Sequence, residues 1–188
     1  AAAHVLTIDM LNSSPTSISI SGASSATQDS VTLNNVDSSS LVTLSGLTNT
    51  DVNVNYDATW LAGTGDTTTL TVTGVASGAA GDATVTFGAG LESLTVASNT
   101  SASRLGAIAN PGATVNVTGD AALTVRAALA NAVTTLNASG STGGVSITTG
   151  NPADAGVNAA GVDQFDQTIT GSSGNDTFDV SAIDASDE

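Results

Sequence analysis

The chain has 188 residues, of which 40% are hydrophobic and only 3% aromatic, and it contains no cysteine. Two arginines, Arg104 and Arg126, stand against 17 carboxylates, giving a net charge of −15. Nucleic acid is excluded as a partner because phosphate binding needs clustered cations, anionic membrane surfaces fall on the same ground, and the lack of cysteine removes disulfides, thiolate chemistry and cysteine-ligated zinc.

The length allows one or two domains and a buried core. With so few aromatics, that core has to be built from Val, Leu, Ile and Ala, which suit thin, regular, stacked layers. The acidic residues are Asp rather than Glu, with Glu92 and Glu188 the exceptions. Asp tolerates turns and binds cations from them, whereas Glu favours helices. In a secreted protein without disulfides, calcium or sheet stacking has to supply the stability. No apolar run reaches membrane-spanning length. The start, Ala1-Ala2-Ala3-His4, has neither Met nor a signal-peptide pattern, as expected of a mature form or a piece of a longer chain.

Period-2 alternation recurs from end to end and predicts short strands. In chain order they fall at 5–10, 17–21, 30–33, 41–44, 52–56, 69–73, 83–87, 93–96, 114–118, 123–125, 145–148, 167–170 and 177–180, with Gly, Asn, Asp and Ser turns between them. The first sixty or so residues hold the only Trp, Tyr, Met and His. A boundary at Gly63-Thr64-Gly65 divides an N-terminal β segment, 1–62, from a repetitive β region, 63–188. The N-terminal segment reads as a sandwich or as the first coils of a solenoid.

Asp51-Val52-Asn53-Val54-Asn55-Tyr56-Asp57 imitates the start of an EF-hand loop. It fails because Tyr56 stands where that loop needs Gly and no Glu closes it. It reads instead as a strand with Val52, Val54 and Tyr56 inside. Residues 121–133 are Ala-rich, with Leu123, Ala127, Ala130 and Val133 on one helical face, although Leu123-Thr124-Val125 also reads as a strand. Residues 151–161 read as a loop before the terminal motif, and the acidic tail after Ser181 as a frayed end.

That motif is Gly171-Ser172-Ser173-Gly174-Asn175-Asp176-Thr177-Phe178-Asp179. It resembles the G-G-x-G-x-D-x-U-x nonapeptide of RTX proteins, matching at Gly171, Gly174, Asp176 and Phe178 and departing at Ser172. Upstream, Gly90-Leu91-Glu92-Ser93-Leu94-Thr95-Val96 resembles a phrase of calcium-dependent bacterial surface-layer proteins. Val117-Thr118-Gly119-Asp120-Ala121-Ala122-Leu123-Thr124-Val125, Val133-Thr134-Thr135-Leu136-Asn137-Ala138-Ser139 and Thr142-Gly143-Gly144-Val145-Ser146-Ile147-Thr148 follow in the order those proteins use. The resemblance extends from near Thr67 to Val180. It implies an all-β fold, a parallel β-solenoid (β-helix or β-roll) stiffened by Ca²⁺, together with type I export, an extracellular location at the cell surface and self-assembly into a lattice or filament.

The calcium ligands this implies are Asp176 with carbonyls around Gly171, Ser173 and Asn175, then Asp179, with Asp163 and Asp166 as the other half-site. The turns at Asp66, Asp82 and Asp120 each place one carboxylate beside a Thr/Val strand. Stacked along one edge, such carboxylates would repel unless a cation lay between them. Each also reads simply as a solvated turn residue. Glu92 reads as a hydrogen-bond partner for a neighbouring coil, as a calcium ligand or as an exposed strand start, and each Arg as one half of an ion pair.

Catalysis finds little support. A Ser-His-Asp set would need His4, and no G-x-S-x-G motif occurs. The leading expectation is a structural surface protein that is not an enzyme, its partners being copies of itself. A secreted adhesin or carbohydrate-binding module, with a cell-surface glycan as partner, is the alternative. A remoter alternative is an ice-binding solenoid, from the T-x-T units Thr71-Val72-Thr73 and Thr84-Val85-Thr86.

Overall fold

Alternating Thr and Val in short runs, each closed by a turn residue, cannot bury an apolar face in isolation. Stacking the runs in parallel buries it as a continuous column. The computed structural model of the chain, which describes residues 2–22, 24–37, 41–76, 81–152 and 167–181, has this arrangement. It is all-β, with no α-helix among the described residues, and winds as a parallel β-solenoid of about six turns.

In chain order the strands are β1 (Val5–Asp9), β2 (Ser17–Ser21), β3 (Ser24–Val36), β4 (Leu41–Ser45), β5 (Thr48–Tyr56), β6 (Thr67–Thr73), β7 (Thr84–Phe87) and β8 (Ser93–Ser98). They continue with β9 (Ser103–Leu105), β10 (Ala107–Ala109), β11 (Thr114–Gly119), β12 (Leu123–Val125), β13 (Thr135–Ser141), β14 (Val145–Thr148), β15 (Thr168–Thr170) and β16 (Thr177–Asp179). Sheet A has the order β1-β3-β5-β7-β10, sheet B β15-β13-β11-β8-β6-β4-β2, and sheet C β16-β14-β12-β9. The first strands alternate between sheets A and B, β7–β12 pass from A to B to C and back to A, and the last strands alternate between B and C. Strands of the segment 1–62 form the first coils, and β4–β6 and β5–β7 pair in parallel across residues 62 and 63.

The registers line up inward residues in columns. On sheet B one column runs Ile18, Val42, Leu70, Val96, Val117, and another runs Thr68, Leu94, Val115, Leu136, Ile169. Most of these side chains are fully buried. Each fully buried Val or Leu contributes about 1.5–3 kcal/mol of hydrophobic stabilisation, so the columns hold the coils together. The outward positions carry Thr, Ser and Asn, as in the row Thr67, Ser93, Thr114, Thr135, Thr168. The two T-x-T units lie on different sheets, Thr71 and Thr73 on β6 of sheet B and Thr84 and Thr86 on β7 of sheet A, so they form no common row.

Residues 121–133 contain β12 and an irregular corner, not a helix. Leu123 faces the core from β12, and the corner beyond turns Leu129 and Val133 into it, which produces a helix-like spacing without a helix. The corners also bring backbones very close. Gly119 has φ +105, and a Cβ on it would lie 2.0 Å from the Ser98 carbonyl oxygen of the coil beneath, so only Gly fits.

Candidate functional site

The terminal motif forms the corner between β15 and β16, and it rests on the corner 142–144 of the preceding coil. Ile169 pairs with Leu136 and Phe178 with Ile147, so the core columns continue into this last coil. Ser173 N–H donates to the Ser141 carbonyl (3.1 Å). The seam is built for backbone. A Cβ on Gly144 (φ +82) would lie 2.4 Å from the Asn175 carbonyl oxygen, and one on Gly174 would lie 2.5 Å from the Gly144 nitrogen.

Asp176 ties this seam together. Its Oδ2 accepts from Ser172 N–H (2.7 Å), and its Oδ1 accepts from the Ser172 hydroxyl (2.6 Å) and from Val145 N–H of the coil beneath (3.0 Å). Ser172 Oγ in turn accepts from Gly174 N–H (2.9 Å). The Ser172 hydroxyl bond, followed by the two backbone N–H bonds and against the opposing effect of burial, holds the Asp176 carboxyl below the ordinary value. Ser172, the one departure from the nonapeptide pattern, is therefore the hydrogen-bond partner of the motif's Asp176. The sequence signal for this was a hydroxyl four residues before an Asp across a Gly turn.

Asp179 closes the strand. Its Oδ1 accepts from Ser181 N–H (2.9 Å) and its carbonyl from Thr149 N–H (2.9 Å), and the Ser181 bonds lower its pKa. Asp163 and Asp166 lie outside the described residues. The remaining turn carboxylates do not stack along one edge. Asp66 lies between β5 of sheet A and β6 of sheet B, Asp82 between β6 of sheet B and β7 of sheet A, and Asp120 between β11 of sheet B and β12 of sheet C.

Each of these has its own local role. Asp120 Oδ1 accepts from Thr100 N–H (2.8 Å). Asp66 N–H donates to Glu92 Oε2 (2.7 Å), and the Asp66 carbonyl accepts from Glu92 and Ser93 N–H, so Glu92 bridges to the preceding coil. Asp82 takes both cations of the chain. Arg104 Nε lies 3.2 Å from its Oδ1, Arg104 Nη2 donates to Oδ2 (3.3 Å), and Arg126 Nη1 donates to Oδ2 (2.9 Å). The Arg104 Nε contact is an ion pair without hydrogen-bond geometry. Gly106 lies against Asp82, where a Cβ would be 3.0 Å from the Asp82 carbonyl oxygen, so no side chain there obstructs the reach of Arg126. The Asp82 side chain is only 5% exposed.

For Ca²⁺, the donor chemistry at the terminal seam is of the right kind: a hard carboxylate beside backbone carbonyls, in a cradle that side chains would fill. The number of donors is smaller. No group of three or more acidic, His or Cys side chains gathers among the described residues, and both Asp176 oxygens already accept from protein donors. No protein-family model, curated protein or solved structure matches the chain. No described helix is long and apolar enough to cross a membrane.

Proposed function

We propose that this chain is a structural segment of a bacterial cell-surface layer: a secreted, non-enzymatic β-solenoid that takes up Ca²⁺ at its terminal turns and associates with copies of itself. The observation that supports this best is the seam between corners 142–144 and 171–176, where two glycine-rich turns stack backbone on backbone around one ionised carboxylate. Asp176 would hold the ion, with Asp179, Asp163 or Asp166 contributing further oxygens. The cation would neutralise carboxylates in a chain of net charge −15.

Self-association has its support at the other end of the solenoid. Every residue of β1 is exposed, with Val5 at 74% and Leu6 at 54%, and one edge of this strand has no neighbour among the described strands. An apolar strand edge of this kind is a template for pairing with a further strand, and a second copy of the chain can supply one. The test is a Ca²⁺ titration followed by light scattering and thermal melting. Calcium should raise both the melting temperature and the scattering, and chelator should reverse both. Melting and assembly that ignore calcium and chelator alike would overturn the reading, and Asp176→Ala should weaken the response.

A further inference from the structure

At the A-to-B corner of the first coils, well away from the terminal seam, a cavity of about 360 Å³ opens between three successive turns. Its walls include Met10 and Asn12 after β1, Asn35 at the end of β3 and Asp37 after it, and Asp57 and Trp60 after β5. The volume lies at the low end of the range of about 300–1,000 Å³ typical of small-molecule pockets. We propose that this cavity binds a neutral saccharide, with the indole of Trp60 as the apolar platform and the Asp37, Asp57 and Asn12 side chains as hydroxyl partners. The inference does not depend on the lattice reading.

The geometry is that of a prepared site. Trp60 follows a corner in which Asp57 Oδ1 accepts from both the N–H and the hydroxyl of Thr59, while the Asp57 carbonyl accepts from Trp60 N–H (3.0 Å). Behind it, the Trp60 ring packs on Tyr56 with centroids 4.7 Å apart, and Tyr56 stacks on Phe87 at 6.5 Å with planes 5° apart. Tyr56 is fixed in turn by its hydroxyl, which donates to Thr68 Oγ1 (2.7 Å). Two of the chain's few aromatics thus brace the indole, and both are themselves anchored in the buried core. On the opposite wall, Asn35 Nδ2 donates to Asp9 Oδ1 (2.7 Å), and Asn12 holds a left-handed backbone (φ 66).

The chemistry selects the ligand. A pyranose has one C–H face, which fits an aromatic plane, and a rim of hydroxyls, which donate to carboxylates and both donate to and accept from amides. Asp57 has one oxygen committed to Thr59, and a carboxylate accepts at two. The lining contains no cation, and both arginines of the chain are held at Asp82. Uronic and sialic acids are therefore repelled, and neutral or amino sugars are favoured.

Because Trp60 is the only Trp, its fluorescence reports on this cavity alone. The full chain is titrated with glucose, galactose, mannose and N-acetylglucosamine, with glucuronate as the anionic counterpart and Ca²⁺ alone as a further arm. At least one neutral sugar should give a saturable change in the millimolar range, and glucuronate should bind more weakly. Asn12→Gly, which keeps the left-handed backbone while deleting the amide, and Asp37→Ala should each weaken that sugar by several-fold or more, with unchanged circular dichroism. Calorimetry with Trp60→Ala should show no binding. The proposal fails if no neutral sugar saturates, if glucuronate binds as well as its neutral counterpart, if Ca²⁺ alone produces the only response, or if the folded variants bind like the parent. A failure of calcium-dependent assembly leaves all of these readouts in place.

Discussion

Asp82 offers the sharpest test of what holds the coils together. Its carboxylate is 5% exposed and receives Arg104 from the middle of β9 and Arg126 from just beyond β12, so the cluster links three successive passes of the chain at one corner. Replacing both arginines in the double variant Arg104→Met, Arg126→Met leaves a buried carboxylate without its cations. Breaking a buried pair by removing one side costs about 3–5 kcal/mol, whereas an exposed pair is worth about 1 kcal/mol or less. Since the arginine side chains are 42% and 59% exposed, the loss comes from stranding Asp82 and not from the arginines themselves. In a chain of this size, a loss of that order lowers the melting temperature by about 6–20 °C. Adding Asp82→Asn to the double variant removes the stranded charge and should restore most of the loss. Urea denaturation gives the free energies, and hydrogen exchange in β7, β9 and β12 locates them. A double variant within about 1 kcal/mol of the parent, or a triple variant no better than the double, would refute this reasoning.

Two further outcomes follow from the corners. Gly119→Ala places a Cβ 2.0 Å from the Ser98 carbonyl oxygen at φ +105, so it should cost at least about 2 kcal/mol in denaturation and expose β11 and β12 to exchange. At Asp176 the folded pKa is lowered from 3.8, first by the Ser172 hydroxyl. Its contribution is therefore fully present above the unfolded value and is lost as pH falls below 3.8 through the folded value. Exchange protection of Val145 N–H and Ser172 N–H should fade on that acid limb, and Ser172→Ala should move the fade to higher pH; an unchanged profile would sink the assignment.

Much of the fold was legible because alternation is a local signal. Val52, Val54 and Tyr56 had to face one way, and they do, with Asp51 on the other face accepting from Gln28 Nε2 and Thr84 N–H. The corners were not legible. Asp66, Asp82 and Asp120 look alike in sequence, each beside a Gly and a short strand, yet they lie at three different corners. Arg126 meets a carboxylate 44 residues away, a separation set by the number of residues per coil and not by any motif. The cavity at Trp60 was hidden for the same reason, since its walls come from three turns that are adjacent only after winding. Ser172 read as a flaw in a metal-binding pattern because the pattern says nothing about which donors an Asp finds in its own turn.

The columns of sheet B also have a mechanical meaning. In the strand ladders each coil pairs only with the coil before it and the coil after it, and these hydrogen bonds run along the solenoid axis. Tension applied to the two ends therefore loads the ladders one at a time and peels the chain from an end, instead of shearing many strands at once. Under load, such a chain should therefore lengthen coil by coil. The knot of charge at Asp82 interrupts that sequence, because a single carboxylate fastens passes that the ladders alone join only pairwise. The winding at Asp82 should therefore be the one that resists such peeling most.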